Sequence, residues 1–379
     1  MDGNPASKCV AIIAGETSGD LHGSKLVHSM QRKHDRLFFC GIGGPALRGA
    51  GVRILVDAAD LAVVGITEVF SRMAGIYRAM SAVKRLLKSL KPDLLILIDF
   101  PDFNLHVAGT AKKLGIPVLY YISPQIWAWR QGRVKRIARR VDHMAVILPF
   151  EEDFYRAHNV PVTFVGHPLL DIQLPPRHTS PEPAAGNPPV IGLVPGSREM
   201  EVEKHLPVML HAAHLLRDRW PQTKFIVSRA PSVDRRRLET IVDGCAEALD
   251  VEIIPDRVEE VFARCDLIVA ASGTVTLQAA IHGTPMVIIY KVSPLSYWLG
   301  RALIRVNHIG LVNLVAGRQI VPELVQDRAS AAEIAGTVAE MLSDTDGLKR
   351  LREELIQIRH RLGGAGASER VADIALGML

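Results

Sequence analysis

The chain has 379 residues, 48% apolar and 22% charged, which excludes a disordered or fibrous protein and leaves material for two sizeable cores. Its 45 Lys and Arg against 40 Asp and Glu leave a formal charge of +5, a mild excess that suits an anionic small molecule, an anionic membrane surface or nucleic acid without choosing among them. Cys9, Cys40, Cys245 and Cys265 form no C-x-x-C pair, the start lacks a signal-peptide layout, and no uncharged stretch is apolar enough to span a bilayer. These features argue against a disulfide framework, a cysteine zinc site and a spanning helix, and point to a soluble protein of a reducing compartment.

Val10–Ala14 reads as a strand, followed by the small-residue turn Gly15-Glu16-Thr17-Ser18 and a helix to about Lys33. A turn at the carboxyl end of such a strand faces the ligand crevice of an open α/β sheet, and its N–H groups suit an anion. The plainer alternative is that Ser18 caps the helix and Asp20 sits in its first turn. Arg36–Cys40 is a second strand. The Gly41–Ala46 stretch after it mimics a dinucleotide fingerprint, but it follows the wrong strand and Pro45 interrupts it, so NAD binding is not expected.

From Val63 to Leu90, Val63, Ile66, Phe70, Met73, Tyr77, Met80, Val83, Leu87 and Leu90 fall at helical spacing with basic residues interleaved. On pattern alone this is a core helix with a solvated face, although a membrane-interface helix uses the same layout. Leu94–Ile98 is a continuous apolar run, as a parallel strand covered on both faces requires. Asp99 and Asp102 follow it. A carboxylate at the end of a buried strand is partly desolvated, which raises its pKa toward that of a useful general base, and Asp99 is the better candidate. Strands at 118–122 and 144–148 come next. Trp127, Trp129 and the basic residues to Arg140 lie between them; with no nucleic-acid signature elsewhere, they fit a phosphorylated lipid or membrane surface. His167 reads as structural.

Residues 171–189 carry six prolines and read as a linker. The α/β rhythm then restarts with strands at 190–194, 224–228, 251–254, 267–271 and 286–290. Ser197 and Arg198 stand in a Pro-Gly-Ser-Arg turn after the first of these, where a guanidinium meets a phosphate in bidentate fashion. Ser272, Gly273 and Thr274 open a helix whose N–H groups and dipole suit a diphosphate, with Gln278 one turn in. The expectation is α/β: two Rossmann-like, doubly wound domains, 1–170 and 190–345, the second with a nucleotide-diphosphate site. Residues 346–379 form a helical tail that docks on the first domain or on a second subunit of a homodimer.

In this order, AGETSGDLHG (14–23), IDFPDFN (98–104), YISPQIWAWRQGRVKRI (121–137), LVPGSREMEV (193–202), ASGTVTLQAAIHGTPMV (271–287) and GLVNLVAGRQIVPELVQ (310–326) resemble the lipid-A-disaccharide synthase family of GT-B glycosyltransferases, across nearly the whole chain. The resemblance implies inverting transfer of 2,3-diacylglucosamine from UDP-2,3-diacylglucosamine to 2,3-diacylglucosamine 1-phosphate, giving a β-1,6 disaccharide phosphate and UDP. It adds a GT-B cleft between the two domains and puts 1–170 on the acceptor side. It implies a peripheral enzyme on the cytoplasmic face of the inner membrane, with no metal, no cofactor and no nucleic acid. Val63, Ile66, Phe70, Met73 and Tyr77 then become candidate membrane and acyl-chain contacts. By the same resemblance Asp99 is the base on the acceptor hydroxyl and Arg198 stabilises the departing UDP. Gly15, Glu16 and Ser18 match the N-terminal active-site loop, and Asn313 and Glu323 match positions near the nucleotide. Gln278 stands where similar enzymes commonly carry a Glu, which leaves the ribose to Gln278 or Glu323. The alternative is another UDP-GlcNAc-type transferase or epimerase acting on a soluble sugar.

Overall fold

The computed structural model describes residues 7–379 except 62–68, 130, 173–174, 176–187, 246–248 and 293–305, and no side chains at 60–61 and 69–74. The chain divides into two compact units, Met1–Asp171 together with Leu362–Leu379, and Ile172–Arg361.

The first unit holds seven parallel strands: β1 (Lys8–Ala14), β2 (Leu37–Gly43), β3 (Arg53–Asp57), β4 (Leu94–Ile98), β5 (Val118–Tyr121), β6 (His143–Val146) and β7 (Val162–Phe164). They run in the order β3-β2-β1-β4-β5-β6-β7. Its helices are α1 (Thr17–Lys33), α2 (Pro45–Gly49), α3 (Val69–Leu90), α4 (Pro101–Lys113), α5 (Ile126–Trp129), α6 (Val134–Ala138) and α7 (Pro149–Arg156). Because successive strand residues point to opposite faces, β1 and β4 feed two cores. Val10, Ile12, Leu94, Ile96 and Ile98 meet Leu26, Val27 and Met30 of α1. Ala11, Ile13, Leu95 and Leu97 meet α3 and α4 through Val83, Leu87, Leu105 and Ala108. The continuous apolar run at 94–98 is therefore explained by helices on both sides of the sheet.

In the described half of the 63–90 stripe, Ala79, Val83 and Leu87 are buried in the core, so this part serves packing. Tyr77 is 75% exposed. Val63 and Ile66 lie outside the described residues, and the side chains of Phe70 and Met73 do as well.

The second unit holds six parallel strands: β8 (Val190–Val194), β9 (Lys224–Arg229), β10 (Asp250–Pro255), β11 (Leu267–Ala271), β12 (Met286–Tyr290) and β13 (Glu323–Val325). Their order is β10-β9-β8-β11-β12-β13. Among its described helices are α8 (Glu199–Arg219), α9 (Arg235–Cys245), α10 (Val258–Arg264), α11 (Thr274–Ile281), α12 (Leu311–Ala316), α13 (Ala331–Ser343) and α14 (Thr345–Arg361). The tail begins later than the expected 346, at Leu362, because α14 packs on α11 and α12 of the second unit. Only then does the chain return to the first unit, where α15 (Ala367–Gly377) lies on α1 and buries Val371, Ala372 and Ala375. Asp171 anchors the return, its Oδ1 accepting from Gly366 N at 2.6 Å.

Candidate active site

In the first unit the strand order reverses between β1 and β4, and a doubly wound sheet binds ligands outside the carboxyl ends of the strands at such a reversal. The loops that emerge there are Gly15-Glu16 and Asp99-Phe100. Gly15 is needed for close approach: a Cβ on it would stand 2.4 Å from the Phe100 ring. Glu16 and Ser18 are exposed on the opening of α1. Burial first, and the negative charge of Glu16 second, push the Asp99 carboxyl up to about 6. At neutral pH it is therefore mostly ionised and close to the best basicity for accepting a proton.

Several other conspicuous residues of this unit prove structural. The buried Asp20 carboxylate accepts from the backbone N–H groups of Gly44 (2.7 Å), Ala46 (2.9 Å) and Leu47 (3.1 Å). The glycine-rich Gly41–Ala46 stretch thus wraps a side chain of its own unit. Exposed Asp102 pairs with Arg133 at 2.6 Å. Trp127 Nε1 donates to buried Glu151 at 3.0 Å. His167 is buried and neutral, its pKa lowered to about 4 by burial, and its Nδ1 accepts from Leu169 N, in keeping with a structural role. Arg140 donates to Leu105 O at 2.8 Å, tying part of the basic segment to the fold.

In the second unit the reversal falls between β8 and β11. A pocket of about 400 Å³ opens there, lined among others by Ser197, Arg198, Ser272, Gly273, Thr274 and Gln278. Six residues singled out from sequence therefore share one pocket. Gly196 turns at φ +127°, where a Cβ would fall 2.5 Å from Glu201. Glu201 Oε2 accepts from Ser197 N (3.0 Å) and Arg198 N (3.3 Å), and its Oε1 accepts from Arg198 Nη1 at 2.8 Å. The Arg198 side chain is otherwise 79% exposed. Buried His205 on α8 braces the same loop. Its Nδ1 donates to Pro195 O at 3.0 Å and its Nε2 accepts from Lys291 N at 3.2 Å, a pairing that needs the neutral ring, and burial lowers its pKa accordingly. The helix opening at Thr274 has no side-chain cap and lines the pocket, which suits its first N–H groups to an anion.

Asn313 and Glu323 lie elsewhere in this unit and do not line that pocket. Glu323 accepts from Ile309 N (2.8 Å), Gly310 N (3.0 Å) and Asn313 Nδ2 (2.7 Å). Asn313 in turn accepts from Ile320 N and Val321 N. Together they clamp the connection between α12 and β13. Glu201 and His205 were not legible as loop braces, because their partners are backbone atoms of a turn that exists only once folded.

No group of three or more metal-binding side chains occurs among the described residues, nor does a helix long and apolar enough to cross a membrane. A family model described as lipid-A-disaccharide synthetase matches residues 10–375. The lipid-A-disaccharide synthase of Geobacter metallireducens is 51% identical over 381 residues, covering 100% of this chain and 99% of that one. That of Geobacter sulfurreducens is 50% identical, covering 98% and 97%. Among solved structures, a UDP-GlcNAc 2-epimerase from Neisseria meningitidis bound to UDP-GlcNAc superposes with a TM-score of 0.64 at 12% identity, over 98% of this chain and 100% of that one. MurG of Acinetobacter baumannii gives 0.62 at 14% identity, over 98% and 99%. At such identities the likeness is one of fold, two parallel α/β units of the GT-B type.

Proposed function

The chain belongs to the lipid-A-disaccharide synthetase family, and from that premise we infer how its residues divide the reaction. Its activity is that of a lipid-A-disaccharide synthase, a glycosyltransferase of lipid A biosynthesis with a UDP-sugar donor and a lipid acceptor. The family's donor and acceptor are UDP-2,3-diacylglucosamine and 2,3-diacylglucosamine 1-phosphate. The soluble-sugar alternative rests on structures alike in fold alone.

Asp99 accepts the proton of the acceptor 6-hydroxyl as that oxygen attacks the donor anomeric carbon. The bond to UDP breaks on the opposite side and its electron pair leaves on the phosphate, so one displacement inverts the centre and yields the β-1,6 linkage. The observation that carries the base role is a carboxyl raised to about 6 at the reversal of the first sheet. Arg198 and the first N–H groups of α11 take up the charge that grows on the diphosphate, where preorganised donors are worth most. Ser197, Ser272, Gly273 and Thr274 line that diphosphate site. The ribose goes to Gln278, which lines the pocket, while the bonds found for Glu323 go to Ile309, Gly310 and Asn313 at the start of α12. Gly15, Glu16 and Ser18 form the rim of the acceptor side.

The enzyme works on the cytoplasmic face of the inner membrane, meeting acyl chains through Val63, Ile66, Phe70, Met73 and Tyr77. The exposure of Tyr77 beside Arg78 supports this contact. The test is incubation with the two acylated sugars in detergent micelles, with UDP and disaccharide followed by mass spectrometry. Equal release of both supports the assignment; turnover of UDP-GlcNAc with a soluble acceptor instead would overturn it.

A further inference from the structure

Asp99 and Phe100 both sit at positive φ, 45° and 47°. Non-glycine residues enter that region against steric strain, and persist there only when their surroundings hold them. Here the hold is visible. The carbonyl oxygen of Asp99 accepts from Tyr120 Oη at 2.6 Å and from Asn104 Nδ2 at 2.7 Å. The same Nδ2 donates to Ile98 O at 3.2 Å, so one side-chain amide grips two successive carbonyls.

Asn104 is fully buried on the first turn of α4, and Tyr120 is fully buried on β5, the strand beside β4. Among the described residues Asn104 Oδ1 has no hydrogen-bond partner, whereas its Nδ2 donates to two carbonyls of the turn, so the amide holds the turn through its donors. Leucine would fill the same space but could not hold the turn.

We propose that Asn104 and Tyr120 are positioning residues for glycosyl transfer: by clamping the Asp99 carbonyl they hold the left-handed turn that fixes the direction of the Asp99 carboxylate. The inference rests on the reading of Asp99 as the base. Neither residue touches the reacting atoms; both act through Asp99.

The experiment is a double-mutant cycle. Tyr120→Phe and Asn104→Ala are each made with Asp99 intact and with Asp99→Asn, and kcat, KM, thermal midpoint and UDP affinity are measured. With Asp99 intact, each is expected to lower kcat by roughly 10- to 100-fold, the scale of a misplaced reacting group, while KM and UDP affinity hold. With Asp99→Asn neither should cost anything further, a non-additivity that a merely structural role does not produce. Equal losses in both backgrounds would overturn the clamp, as would unchanged kcat in both variants beside a disabled Asp99→Asn. A near-normal rate for Asp99→Asn removes the base reading itself. If Asn104→Ala does not fold, Tyr120→Phe, which removes only a hydroxyl, decides by the same criteria.

Discussion

Asp99→Asn keeps the size of the side chain and removes the proton acceptor, so turnover should fall by roughly 10²–10⁴, the usual scale for loss of a general base. Single-turnover assays of the folded variant check this. In the wild type the acidic limb of kcat/KM should bend near pH 6, where burial has put this carboxyl in the free enzyme, and fall tenfold for each further pH unit. The linkage has a definite sign. The folded-state pKa, about 6, lies above the ordinary carboxyl value of 3.8, so ionisation is disfavoured in the fold. The penalty is absent below about pH 4, grows as pH rises through that window, and is complete above 6. Asp99→Asn should therefore raise the thermal midpoint at pH 8 and lose that advantage at pH 4, as calorimetry can follow. Arg198→Ala removes a guanidinium from the rim of the pocket and should weaken UDP binding as well as kcat by titration calorimetry; unchanged UDP affinity would confine Arg198 to the transition state.

Elements differ in how much of themselves they announce. Leu94–Ile98 declared a buried parallel strand because all five side chains are apolar, and β1 was equally plain. Arg53–Asp57 carries charges at both ends and sits at the sheet edge, and the three-residue β13 is too short for any periodicity to register, so neither was legible. The pocket of the second unit was readable because its residues follow strands directly. The clamp made by Asn313 and Glu323 was not, since it joins segments ten residues apart through backbone atoms. The glycines at 41–46 were not expected to be a nucleotide fingerprint, but their occupant, the Asp20 carboxylate, could not be read, because it depends on a helix folding alongside. Asp20→Ala strands three backbone N–H groups, those of Gly44 and Leu47 buried and that of Ala46 half-buried, and should cost about 2–4 kcal/mol in denaturant unfolding of the first unit, given roughly 1–3 kcal/mol for a single orphaned group. UDP affinity, a property of the second unit, should not change.

At the scale of the molecule, the two-fold repetition of an α/β rhythm on either side of a proline-rich stretch was enough to anticipate two units. The end of the second was harder to see. Thr345–Arg361 and Ala367–Gly377 are both amphipathic helices, and no composition change says that one stays with the second unit while the other leaves it. Ending the chain at Arg361 should remove Val371, Ala372 and Ala375 from the core that α1 shares with the first sheet. The expected result is protease sensitivity and loss of cooperative unfolding in the first unit, with UDP still bound by the second.

That return of the chain also sets an order of events at the ribosome. Synthesis is vectorial, yet the first sheet lacks part of its apolar cover until Val371, Ala372 and Ala375 have been made. The second unit has all its own residues earlier, so it is the one able to mature on the nascent chain. The first unit waits with part of its core open until α15 has left the ribosome. In the cell, then, the acceptor half would be the client of whatever chaperones attend emerging chains, and a lesion that removes α15 would spare the nucleotide pocket while leaving its companion unfinished.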